Sequence, residues 1–132
     1  MPGISAALLE GCVTYSNEAK IRRLGVPENL LREKGAVSAG VARAMARGVA
    51  ATSGAKIGVA VTGIAGPSGA TATKPAGLCF LAVGDWVEEK TFSGDRSVVK
   101  ERAAGFALNM LRLRLLRGEG YAGTTMGLRG LR

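Results

Sequence analysis

The chain has 132 residues, carries 18 lysines and arginines against 10 aspartates and glutamates for a formal charge of +8, and contains no histidine. That length is one domain, able to bury about two thirds of its unfolded surface, and the 47% apolar content separates it from disordered chains. Lack of histidine excludes Ser-His-Asp and Cys-His relays and histidine-held zinc or haem, so acid–base chemistry falls to lysine, tyrosine or carboxylates.

The basic excess is uneven. Residues 102–132 hold six arginines against Glu119 alone, a net +5, which leaves +3 for residues 1–101. No apolar run approaches the roughly 20 residues of a membrane span, and no signal peptide opens the chain, so a cytoplasmic protein without a membrane segment is expected. Cys12 and Cys79 sit in apolar, strand-like stretches and read as buried free thiols, consistent with a reducing compartment.

In chain order, residues 11–16 (Gly-Cys-Val-Thr-Tyr-Ser) read as a short strand running into a helix over Asn17–Leu24 that Gly25 stops. Pro27 starts a second short helix that Gly35 ends. Ser38 caps a third, whose Val41, Ala42, Met45, Ala46, Val49 and Ala50 recur at helical spacing. Residues 57–62 form an apolar run too short for a helix and suit a central strand buried on both faces. A loop rich in glycine and proline follows. Leu78–Val83 and residues 87–92 read as a hairpin around a tight turn. A long helix over 97–117 presents Val99, Ala103, Phe106, Met110 and Leu113 on one side, and the five glycines of residues 118–132 read as a flexible Gly/Arg-rich tail. The expected fold is a three-layer α/β/α domain over residues 1–117, with a mixed sheet of about four strands including the hairpin.

Two strand ends carry chemistry, because ligands in open α/β sheets lie beyond the carboxyl ends of strands. The first holds Tyr15, Ser16, Asn17, Glu18 and Lys20. A cation in the first helical turn is opposed by the macrodipole, which favours a neutral amine and suits Lys20 as a general base; the alternative is a lysine pointing into solvent. The second is the loop with Thr62, Gly63, Gly66 and Gly69, whose backbone N–H groups could turn toward a phosphate or oxyanion, or which is simply flexible. Its spacing matches neither the dinucleotide fingerprint nor a Walker loop. Asp95 reads as a helix cap, and Arg96 as either a solvated cation or a phosphate ligand. Asp85 and Asp95 are the only aspartates, no carboxylate cluster has hard-metal spacing, and neither metal nor organic cofactor is expected. Nucleic-acid binding by the arginine-rich C-terminal region is disfavoured, since no aromatic residues interleave with those arginines.

Tyr15-Ser16-Asn17-Glu18-Ala19-Lys20-Ile21, Gly35-Ala36-Val37-Ser38, Val59-Ala60-Val61-Thr62-Gly63-Ile64-Ala65-Gly66-Pro67, Lys74-Pro75 with Gly77, and Gly94-Asp95-Arg96 together resemble the CinA carboxyl-terminal domain family in order and spacing. The resemblance covers residues 2–117. Active members of that family are nicotinamide mononucleotide amidohydrolases, which release ammonia and leave nicotinate mononucleotide for NAD recycling. It implies catalytic roles for Lys20 and Tyr15, assisting a serine nucleophile. It also implies substrate contacts from Asn17, Thr62, Gly63, Gly66, Gly69 and Arg96. The family's nucleophilic serine lies in a Ser-Cys-Thr-Gly-Gly motif on an amino-terminal helix, a motif not found among these 132 residues; Met1-Pro2-Gly3 matches the loop that follows that helix. The expectation is therefore an amidohydrolase-type domain with its fold and half-site but without the nucleophile, or else a non-catalytic nucleotide- or protein-binding form of the same fold. A helix missing from one layer exposes several hundred Å² of apolar surface, and a homo-oligomer is expected to cover it.

Overall fold

The structure, a computed structural model, describes residues 3–118 and 121. After a single 3-10 turn at Ile4–Ala6, helices α1 (Asn17–Leu24), α2 (Glu28–Lys34) and α3 (Ala39–Ser53) precede strand β1 (Val59–Gly63). Strands β2 (Leu78–Val83) and β3 (Trp86–Thr91) then form a hairpin, and helix α4 (Arg96–Arg117) closes the described chain. The expected caps form: Ser16 Oγ accepts from the Ala19 amide at 3.0 Å, Ser38 Oγ from Val41 at 3.4 Å, and an Asp95 carboxylate oxygen from Val98 at 3.0 Å. Each satisfies a first-turn amide that has no partner within the helix.

The three layers are present, with α1, α2 and α3 on one side of the sheet and α4 on the other. The pleat sorts the core. Ala60 and Ala82, paired across β1 and β2, point with Phe80 toward α3, where Val41, Ala42, Met45 and Ala46 are buried. Leu81, Val83 and Cys79 point the other way, against Val99, Ala103, Ala107 and Met110 of α4. The stripe read from the sequence holds at Val99, Ala103 and Met110, whereas its Phe106 and Leu113 are only partly buried and Ala107 takes a core position instead. In the hairpin, Val83 pairs with Trp86 across a two-residue loop in which Gly84 has φ 57°, a conformation that favours glycine.

The sheet departs from expectation in size and direction. It has three strands in the order β1-β2-β3, all antiparallel, rather than four in a mixed sheet. Residues 11–16 enter no ladder, and a groove of about 330 Å³ lies between this stretch of the chain and the residues from Ile57 to Val61. Val13 and Tyr15 consequently face solvent, 90% and 86% exposed. Two further corrections follow from that gap. β1 is an edge strand with alternating burial, and β2 is the central, almost fully buried one. Cys12 is exposed, whereas Cys79 is buried as expected, its thiol pKa pushed up by burial.

The tail expected over 118–132 lies outside the described residues apart from Gly118 and Tyr121, whose ring stands edge-on to Trp86 with centroids 5.3 Å apart. No described helix is long and apolar enough to cross a membrane.

Candidate functional site

Helix α1 begins at the Ser16 cap, and Lys20 lies one turn in. Its side chain does not reach solvent: it is 6% exposed, and its Nζ donates to the Thr14 carbonyl at 2.8 Å and to the Tyr15 carbonyl at 3.2 Å. The segment that fails to pair with the sheet thus supplies the amine's acceptors. Burial lowers the Lys20 pKa below the ordinary lysine value, since leaving water penalises the ammonium more than the free amine. The expected direction holds, with desolvation as its leading cause in place of the helix macrodipole. The solvent-pointing alternative is excluded.

At the carboxyl end of β1, buried Thr62 donates its hydroxyl to the Ala36 carbonyl at 2.8 Å, tying the strand to the turn that enters α3. The loop beyond is pinned at its base: Ile64 N–H donates to the Leu78 carbonyl at 2.8 Å, and Gly77 N–H to the Ile64 carbonyl at 2.6 Å. From the first residue of α4, an Arg96 guanidinium N–H reaches the Gly66 carbonyl at 3.4 Å. Replacing the Thr62 hydroxyl by a methyl strands a partly buried carbonyl, so Thr62→Val is expected to cost about 1–2 kcal/mol, read as a lower urea midpoint at unchanged slope.

An open groove of about 670 Å³ lies among these elements, a size in the range of small-molecule sites. Tyr15, Lys20, Thr62, Gly63, Gly69 and Arg96 all line it. The β1 loop and the first turn of α1, far apart in sequence, therefore share one cavity. Asn17 and Gly66 are not among its lining residues; Asn17 is exposed at the start of α1, and Gly66 joins the site through its bond to Arg96. Sequence reasoning missed Ser68 and Lys100, which also line the groove. Lys100 was detectable, four residues after Arg96 on a helix and hence on the same face. Among the described residues no group of three or more His, Cys, Asp or Glu side chains is placed to hold a metal ion.

A lysine amine on a groove, once deprotonated, can take a proton from an attacking hydroxyl and return it to a leaving amine, and the Arg96 and Lys100 side chains that line the same groove can pair with an anionic ligand. The family model for the CinA C-terminal domain matches residues 1–115. A CinA-like protein of Geotalea daltonii is 52% identical over 120 residues, covering 88% of this chain and 29% of that protein. A putative competence-damage inducible protein of Symbiobacterium thermophilum is 50% identical over 129 residues, covering 88% and 30%. The chain thus spans less than a third of the length of these relatives. Among solved structures, a competence-damaged protein (CinA) superfamily protein from Klebsiella pneumoniae superimposes with a TM-score of 0.76 at 34% identity, over 80% of this chain and 69% of that one. Competence/damage inducible protein CihA from Agrobacterium tumefaciens gives 0.72 at 40% identity, over 76% and 64%.

Proposed function

The chain belongs to the CinA C-terminal domain family, and from that premise we propose that its groove is the binding half of a nicotinamide mononucleotide amidohydrolase site. The observation that carries this reading is the buried Lys20 amine, its pKa lowered, lining the same groove as the β1 loop and Arg96. In the proposed reaction a serine hydroxyl attacks the carboxamide carbon while Lys20 Nζ takes its proton. The amine then passes a proton to the departing ammonia, and water cleaves the resulting ester to give nicotinate mononucleotide. Tyr15 assists from the groove's mouth, and Arg96 and the glycine loop hold the nucleotide. The Ser-Cys-Thr-Gly-Gly motif that carries the serine in this family is not found among the 132 residues, so binding is assigned to this chain and turnover to its combination with a segment bearing that motif. The reading places the protein in the cytoplasm, with the pyridine nucleotides.

Calorimetric titration with nicotinamide mononucleotide and an ammonia-release assay test this. Expected are saturable binding by the chain, and ammonia release when a segment bearing the serine motif is supplied. Failure of the native chain to bind the mononucleotide contradicts the proposal.

A specific observation also favours a protein-binding role for a second, apolar face of α4. Leu108 and Leu115 are exposed, and with Ala104 and the half-buried Leu111 they form a second stripe at helical spacing; Leu111 lines the same groove as Leu8, Leu9 and Val61, which are exposed as well. β1 has no ladder partner on its outer edge among the described residues. We propose that copies of the chain associate through this face. Light scattering is expected to show a dimer or larger assembly that Leu108→Asp with Leu115→Asp converts to monomer; a native monomer at all concentrations contradicts it.

A further inference from the structure

We propose that Lys100 acts with Arg96 as a two-cation clamp for a phosphate group, an assignment that rests on reading the groove as a mononucleotide site and names the ligand feature it selects. The two residues lie four apart on α4 and line the same groove. Lys20 adds a third basic group, and no aspartate or glutamate lines the cavity. The ion pairs among the described residues are Arg23–Glu10, Arg47–Asp85 and Lys90–Glu88, all elsewhere. The nearest carboxylate in sequence, Asp95, is committed to capping the Val98 amide. A groove with cations and no countercharge of its own favours a ligand that brings one, and a phosphomonoester dianion fits that chemistry.

The two cations differ in kind. Arg96 presents a planar fork already directed to the glycine loop through its bond to the Gly66 carbonyl. Lys100 is a point charge on a flexible stem that also lines a smaller, open depression of about 250 Å³, walled by Val61, Ala65, Cys79, Val99 and Ala103. Groove and depression share Val61, Gly63, Ala65 and Lys100. Lys100 therefore sits where the charged cavity meets an apolar wall, and an ionic contact beside such a wall is screened less than one in open water.

The test compares inorganic phosphate, nicotinamide mononucleotide and nicotinamide riboside as calorimetric probes of the native chain, Lys100→Met, Lys100→Arg and Arg96→Met. Lys100 is exposed, so its variants are expected to melt with the native protein. Lys100→Met is expected to weaken phosphate and the mononucleotide by about tenfold each, leave the riboside unchanged, and be rescued by Lys100→Arg. Unchanged phosphate and mononucleotide affinities in Lys100→Met overturn the clamp, as does a native chain that binds neither. Should phosphate bind in a Lys100-dependent way while the mononucleotide does not bind, the clamp stands and the nicotinamide reading falls.

Discussion

Gly77→Ala is expected to destabilise the fold by about 3 kcal/mol or more and to dismantle the groove in whatever fraction still folds. Gly77 has φ 89°, where a side chain is strained, and a Cβ built there lies 2.1 Å from the Phe92 carbonyl oxygen. That oxygen belongs to backbone and cannot swing aside. Gly77 is also a junction: its amide holds the Ile64 carbonyl at 2.6 Å, and its carbonyl accepts from the Phe92 amide at 3.0 Å. Moving it shifts the base of the loop that carries Gly63, Gly66 and Gly69. Domains of this kind are stable by about 5–15 kcal/mol, so a substantial part of the margin is lost. Urea unfolding checks the first effect and mononucleotide titration the second. A native urea midpoint contradicts the close approach of Gly77 to Phe92.

Lys20→Met is expected to lower turnover by about 10²–10⁴-fold in an assembly that supplies the nucleophile, the usual consequence of removing a general base. Methionine keeps the length of the stem but cannot donate to the Thr14 and Tyr15 carbonyls. The linkage to stability has a definite sign. The folded amine has the lower proton affinity, so between its folded pKa and the ordinary lysine value the unfolded chain binds more protons. Native stability therefore rises with pH across that window relative to Lys20→Met, and the difference levels off above it. Parallel pH–stability curves for the two proteins contradict a buried amine with lowered pKa, and undiminished turnover in the variant contradicts its role as base.

What the sequence disclosed was mostly what local chemistry decides. Ser16, Ser38 and Asp95 announced three helices because a first-turn amide needs an acceptor and these side chains offer one. The α4 stripe of Val99, Ala103 and Met110 was visible because burial on one side leaves a helical period. Residues 11–16 show the limit. Val13 and Tyr15 have the composition of a strand, yet strand formation needs a ladder partner, and that is a tertiary fact. The same limit hid the true centre of the sheet, since β1 and β2 are both short apolar runs and only pairing distinguishes edge from middle. For the candidate site, spacing suggested a shifted Lys20, but not that the unpaired segment would turn its Thr14 and Tyr15 carbonyls onto the amine. Convergence of Lys20 with Thr62 depends on how α1, α3 and β1 pack, which no linear motif records.

The most direct measurement follows the Lys20 side-chain resonances of the labelled chain through a pH titration, with and without nicotinamide mononucleotide. Lys20 is expected to titrate below the exposed lysines, and the mononucleotide to raise its midpoint while shifting the Gly63 and Gly69 amides. A Lys20 that titrates with the exposed lysines and does not respond to the mononucleotide contradicts the assignment of this groove.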